Sequence, residues 1–193
     1  MPNWCSQNLV VVGSKRQRNL LRDAVLCAET QNFAHLYPCP QELTDTVADS
    51  SERPELLAKY GYSNWYDWCC DNWGSKWSDR ETTLAEDSEK RQHWYFQSAW
   101  APMGGLIEKV SERYDKLLFG LSYTEESNAF AGYGIFGRGQ LLNSVDVDCS
   151  TPDFGTDQNV AMDRFSEWSN DLEEKVFENC QKELEQRLKQ PVN

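Results

Sequence analysis

Histidine is nearly absent from this 193-residue chain: only His35 and His93 occur, and neither has a nucleophile and an acid placed to form a triad. General-base and nucleophilic catalysis are therefore poorly supplied, and no enzyme is expected. His35 and Cys39 stand four apart, but no second ligand pair with zinc spacing follows. "GSK" at Gly13–Lys15 lacks the spaced glycines of a phosphate loop. "DVDCSTPDFGTD", Asp146–Asp157, lacks the turn glycine and the closing glutamate of a calcium loop. No metal and no cofactor are expected. No apolar run approaches the roughly 20 residues that cross a bilayer, and residues 1–25 carry no secretory pattern. A soluble, cytoplasmic protein without membrane attachment is the expectation. The seven cysteines are odd in number and irregular in spacing, which fits buried thiols rather than a disulfide framework.

Positive charge is also scarce. The net charge is −12, and it is uneven: residues 1–40 carry four Lys/Arg against two Asp/Glu, residues 41–90 five against twelve, and residues 157–193 five against nine. Such a field repels phosphate backbones over a Debye length of about 8 Å and favours a basic partner.

Aromatic residues, by contrast, are abundant, with eight tryptophans. "WCSQNLVVV" alternates and then turns continuously apolar, as a strand does on entering the middle of a sheet. Ser14 caps a helix expected to reach about Thr30, with Leu20, Leu21, Ala24, Val25, Leu26 and Ala28 inward. Residues 33–61 read as a surface excursion with a short helix from Pro54. In "YSNWYDWCCDNWGSKW", residues 62–77, Ser63 or Asn64 caps a helix that Gly74 ends. Trp65, Trp68, Cys69, Asn72 and Trp73 share one face, the spacing that core packing demands. "SKWSDRETTLAE" and "RQHWYFQSAW" read as two strands, with Trp94, Phe96 and Trp100 on one face of the second. A helix from Pro102 to about Tyr114 follows, then the strands "KLLFGLSY" and "NAFAGYGIFG", and "QLLNSVDVD" as a further strand. From Asp157, Ala161, Phe165, Trp168, Leu172, Val176, Cys180, Leu184 and Leu188 recur every three or four residues, the mark of a long amphipathic helix.

Strand, helix, strand, strand, helix, strand is the split βαβ order. The expected fold is α+β: a ferredoxin-like sandwich, an antiparallel sheet with helices on one face, with an inserted Trp-rich helix and an appended C-terminal amphipathic helix. Residues 1–150 form the expected domain, including an insertion at 33–75, and 151–193 form a helical extension packed on it. "MPNWCSQNLVV", "YGYSNWYDWCCDNWGSKW", "FQSAWAP" and "SYTEESNAFAG" together resemble the YubB-type ferredoxin-like family of plasmid- and phage-borne proteins. The resemblance spans Met1 to about Gly139. It implies a fold and a mobile-element setting, and brings no catalytic residue.

Two functional readings follow. In the first, a non-catalytic acidic protein engages the basic surface of a host protein, as an anti-defence or anti-restriction inhibitor does. Its candidate contacts are Tyr66, Asp67 and Asp71 on the outer face of the Trp-rich helix, and Glu167, Asp171, Glu174, Glu178 and Glu185 on the last helix. In the second, single-stranded nucleic acid binds through Lys15, Arg16, Arg18 and Arg22 with the sheet aromatics Phe130 and Tyr133. The acidic field stands against nucleic acid, and monomer and homodimer both remain open.

Overall fold

The structure, a computed structural model, describes residues 2–27, 29, 31–127, 129–153 and 158–189. Ala28, Thr30, Asn128 and Asp157, used above to place element ends and motifs, lie outside the described residues, as does the side chain of Ala161. Strand β1 (Trp4–Val12) leads into α1 (Lys15–Leu26), and the Ser14 side chain accepts a hydrogen bond from Gln17 N–H at its start. A helical turn at Ala34–Leu36, α2 (Gln41–Thr44), α3 (Pro54–Tyr60) and α4 (Trp65–Trp73) fill the excursion before the hairpin of β2 (Arg80–Asp87) and β3 (Arg91–Ala99). Then come α5 (Gly104–Arg113), the strands β4 (Leu118–Glu125), β5 (Ala131–Gly137) and β6 (Gln140–Val147), and the helix α6 (Gln158–Leu188).

The six strands pair antiparallel in the order β2-β3-β1-β4-β5-β6. The first four make the split βαβ arrangement, with β3 lying between β1 and β2, and β1 lying between β3 and β4. Central β1 explains its own sequence. Successive strand residues point to opposite faces; Leu9 and Val11 join one buried cluster, and Val10 and Val12 join another. The first cluster holds α1, α4, α5 and the excursion against the sheet, around Trp94, Phe96, Phe119 and Leu121. The second lies under α6, which adds a helical layer on the opposite face. Gly120 permits that approach, since a Cβ there would sit 2.9 Å from the Cys180 sulfur.

The tryptophan helix is core, as its spacing predicts. Trp68 and Trp73 are buried at 5.6 Å in edge contact, Tyr37 stacks on Trp68, Trp73 Nε1 donates to the Tyr37 carbonyl at 2.8 Å, and half-buried Trp65 packs against the same cluster. Asn64 caps α4 by accepting from Asp67 N–H at 3.0 Å, and Gly74 ends it at φ +87°.

Four expectations are corrected. Helix α1 buries Arg18, Leu21 and Val25, while Leu20 and Leu26 are exposed. The periodicity count considers only apolar residues, yet an arginine took the inward position. Arg18 is fully buried, and its guanidinium donates to the carbonyls of Gly13 (3.2 Å), Ser88 (2.9 Å) and Glu89 (2.7 Å), tying α1 to the β2–β3 turn. Strand β2 begins at Arg80 rather than Ser75, because Ser75 and Asp79 turn inward to bond backbone. Helix α5 begins at Gly104, not Pro102. Trp100 does not share a face with Trp94 and Phe96: it lies past the end of β3 at φ +70° and is 48% exposed.

Candidate functional site

Helix α6 faces two ways. Leu172, Val176, Cys180 and Leu184, four residues apart, are buried on the sheet. Polar contacts pin the same helix: Asn8 Nδ2 donates to Glu173 (3.2 Å), Arg91 to Gln181 (2.6 Å) and Arg187 to the Leu142 carbonyl (3.1 Å), and Phe177 stacks on His93 at 4.7 Å. On the far side, Asp163, Glu167, Asp171, Glu174, Glu178 and Glu185 are all exposed. At 100° per residue they fall in a sector of about 80° opposite the buried stripe, and at 1.5 Å per residue they extend over about 33 Å. Three exposed cations, Arg164, Lys175 and Lys182, run along one edge of this sector, and Lys182 pairs with Glu178 at 3.0 Å. Among the described residues, Glu178 alone of the six is ion-paired. Asp163 was not singled out from sequence, although its position four residues before Glu167 is the signal that identifies it.

Tyr66, Asp67 and Asp71 are exposed on α4. Tyr66 and Asp67 border a shallow hollow with Asp49, but the Asp67 carboxylate also accepts from Asn64 Nδ2 at 2.8 Å and so is part of the helix cap. Helix α4 belongs to the cluster on one side of the sheet and α6 to the cluster on the other. The fold therefore does not bring the two acidic sets together; it presents two separate faces.

The residues of the nucleic-acid reading are mostly committed elsewhere. Arg18 is buried, Lys15 pairs with Glu89, and Arg22 bonds Asp23 (2.8 Å) and Asp87 (2.7 Å), leaving exposed Arg16 without an ion pair among the described residues. Tyr133 is buried beneath α6 and cannot stack a base, and Phe130 is half-buried beside Tyr123. The sheet face that carries Tyr133 is the face that α6 occupies.

Buried polar groups serve the fold. Asp79 accepts from Phe33 N–H (2.8 Å), Ala34 N–H (2.9 Å) and the Thr82 hydroxyl (2.6 Å); burial raises its pKa, against the pull of those donors. Glu125 is buried and accepts from the N–H groups of Ser127 and Ala129, whereas neighbouring Glu126 is exposed. Burial pushes the Cys5 and Cys180 thiols up to about 12, far from the activated range of a nucleophile. Among the described residues, no three His, Cys, Asp or Glu side chains converge as metal ligands, and no helix is long and apolar enough to cross a membrane.

Burial and the neighbouring Arg91 hold His93 below its ordinary value of 6.5. A depressed folded pKa means that the unfolded chain takes up the proton first, so stability is present above about 6.5 and falls as the pH drops toward the folded value. Thermal melts across this range are expected to show His93→Gln losing less stability than the parent on acidification. Parallel profiles would show that His93 does not titrate against the Phe177 contact.

Sheet order, helix placement and the two-layer core define a ferredoxin-like α+β protein. Residues 72–165, from the end of α4 into the start of α6, match the family model for the ferredoxin-like domain in Api92-like protein. The crystal structure of a protein api92 from Yersinia pseudotuberculosis has the same fold, with a TM-score of 0.53 at 13% identity, over 79% of this chain and 100% of that one. No curated protein matches the sequence.

Proposed function

We propose that this chain is a non-catalytic acidic interaction protein, whose α6 stripe engages the basic surface of a host protein. The plasmid or phage setting comes from the YubB-type resemblance of its opening and Trp-rich segments, and inhibition of a host defence or restriction protein is the concrete form proposed. The reading rests on one observation: six exposed carboxylates in a stripe of about 33 Å, with Arg164, Lys175 and Lys182 confined to one edge of it, on a helix whose other face is fixed to the core. A rigid row of negative charge suits a groove built for a phosphate backbone, where complementarity speeds encounter and sets register.

The test compares capture from host lysate by the parent and by a variant with Glu167, Asp171, Glu174, Glu178 and Glu185 changed to glutamine. All five positions are exposed, so the fold is retained. A specific partner identified by mass spectrometry is expected to be lost from the variant. It is also expected to release between about 0.1 M and 1 M salt, as the Debye length falls from about 10 to about 3 Å. Equal capture by both proteins, or capture indifferent to salt, would contradict the proposal.

A further inference from the structure

The chain is strongly acidic, yet the charged residues that line one cleft are mainly cations. It has a volume of about 360 Å³ and opens where the end of β1, the α5–β4 connection, the β5–β6 turn and the end of α6 meet. Its walls are aliphatic: Val12, Leu117, Leu118, Leu142 and Leu188. Its charged residues are Lys116, Arg138 and Arg187 against the single carboxylate of Asp115. Arg187 is held by Glu183 (3.3 Å) and by the Leu142 carbonyl, whereas Lys116 and Arg138 are exposed and have no ion pair among the described residues.

Arg138 is placed there at some conformational cost. With Gly139 it forms the two-residue turn between β5 and β6, at φ +55° and +72°, where Asn, Asp or Gly is the usual first residue. A long side chain at positive φ is uncommon, and such conformations collect at functional sites. The tip is fixed as well: Gly139 N–H donates to the buried Ser111 hydroxyl at 3.0 Å, and a Cβ at 139 would meet Glu112 at 2.9 Å. Arg138 is thus held at the rim of the cleft by a turn docked on α5.

We propose that this cleft binds a free aliphatic carboxylate of about ten carbons, its tail among the leucines and its head between Lys116 and Arg138. The lining offers no ring on which a base or an aromatic ligand would stack. The volume equals about a dozen water-sized groups, enough for one such chain and too small for a two-chain lipid. The cations supply point-charge and forked recognition of a carboxylate head.

The test is titration of the ¹⁵N-labelled full chain with decanoate below its micelle concentration. Saturable amide shifts at Leu117, Leu118 and Gly137 are expected. Affinity should rise about fourfold per methylene from octanoate to decanoate, and fall about tenfold or more in the double variant K116Q/R138Q, whose exposed positions leave the melting temperature unchanged. Equal binding of decyltrimethylammonium, which has the same tail and the opposite charge, would overturn the proposal. So would unchanged affinity in the double variant, absence of shifts, or sedimentation with phosphatidylglycerol vesicles without any response to decanoate.

Discussion

Arg18→Ala is expected to lower the unfolding free energy by about 3 kcal/mol, a fall in melting temperature of about 6–12 °C for a chain of this size. Two effects combine. The buried aliphatic stem is worth about 0.8 kcal/mol per methylene, and three carbonyls, those of Gly13, Ser88 and Glu89, lose a charged donor. Because the Ser88–Glu89 turn lies near the surface, water recovers part of the second loss, which holds the figure below the largest values for buried charges. Arg18→Met restores volume but no donors and should fall between the parent and the alanine variant. Arg18→Lys should rescue little, since one ammonium cannot span the three acceptors that the guanidinium fork reaches. Urea melts of the four proteins measure this series. An alanine variant within about 0.5 kcal/mol of the parent, the range of ordinary surface changes, would mean that the inward arginine contributes little.

Asp79→Ala should cost a similar amount, about 3–4 kcal/mol, for a different reason. Phe33 and Ala34 are almost fully buried, and their N–H groups have the Asp79 carboxylate as acceptor. Each orphaned buried donor costs about 1–3 kcal/mol, and the Thr82 hydroxyl loses its partner too. The damage should also be local first. Asp79 fastens the start of the excursion to the entry of β2, and the Phe33 ring packs edge-on against Trp94 at 5.3 Å. Amide exchange at Phe33 and Ala34 should therefore speed up more than exchange in β4 or β5. Asp79→Asn, which keeps the shape and one acceptor oxygen, is expected to lose about half as much. Uniform exchange changes across the chain would show that Asp79 supports global stability without pinning this segment.

These two residues mark where reading the sequence stops. The capped tryptophan helix was legible because every signal in it is local: Asn64 before it, apolar residues at three- and four-residue steps within it, Gly74 after it. The same rule failed on α1. Leu20 and Leu26 look as apolar as Leu21 and Val25, and only the carbonyls of a turn 70 residues away explain why Arg18 faces inward. Trp100 failed similarly. An alternating pattern continued through it, but the strand had ended at Ala99 and the backbone had turned to positive φ. Of the proposed contacts, the five acids on α6 were legible from helical period alone. The use of Asp67 in a cap and the burial of Tyr133 under α6 were not.

By itself, the sequence determined the order of strands and helices, the two-faced character of the last helix and the acidity of its outer side. These depend on spacing within a single element, and spacing is a property of the chain. Tertiary structure decided which side of the sheet each helix covers, so that the acids of α4 and α6 lie on opposite faces, and which charges go inside, as with Arg18, Asp79 and Glu125. It also gathered Val12, Lys116, Arg138 and Arg187 into one cleft from segments far apart in the chain. Periodicity tells a residue which side of its own element it occupies; only the crossing of elements tells it what lies opposite.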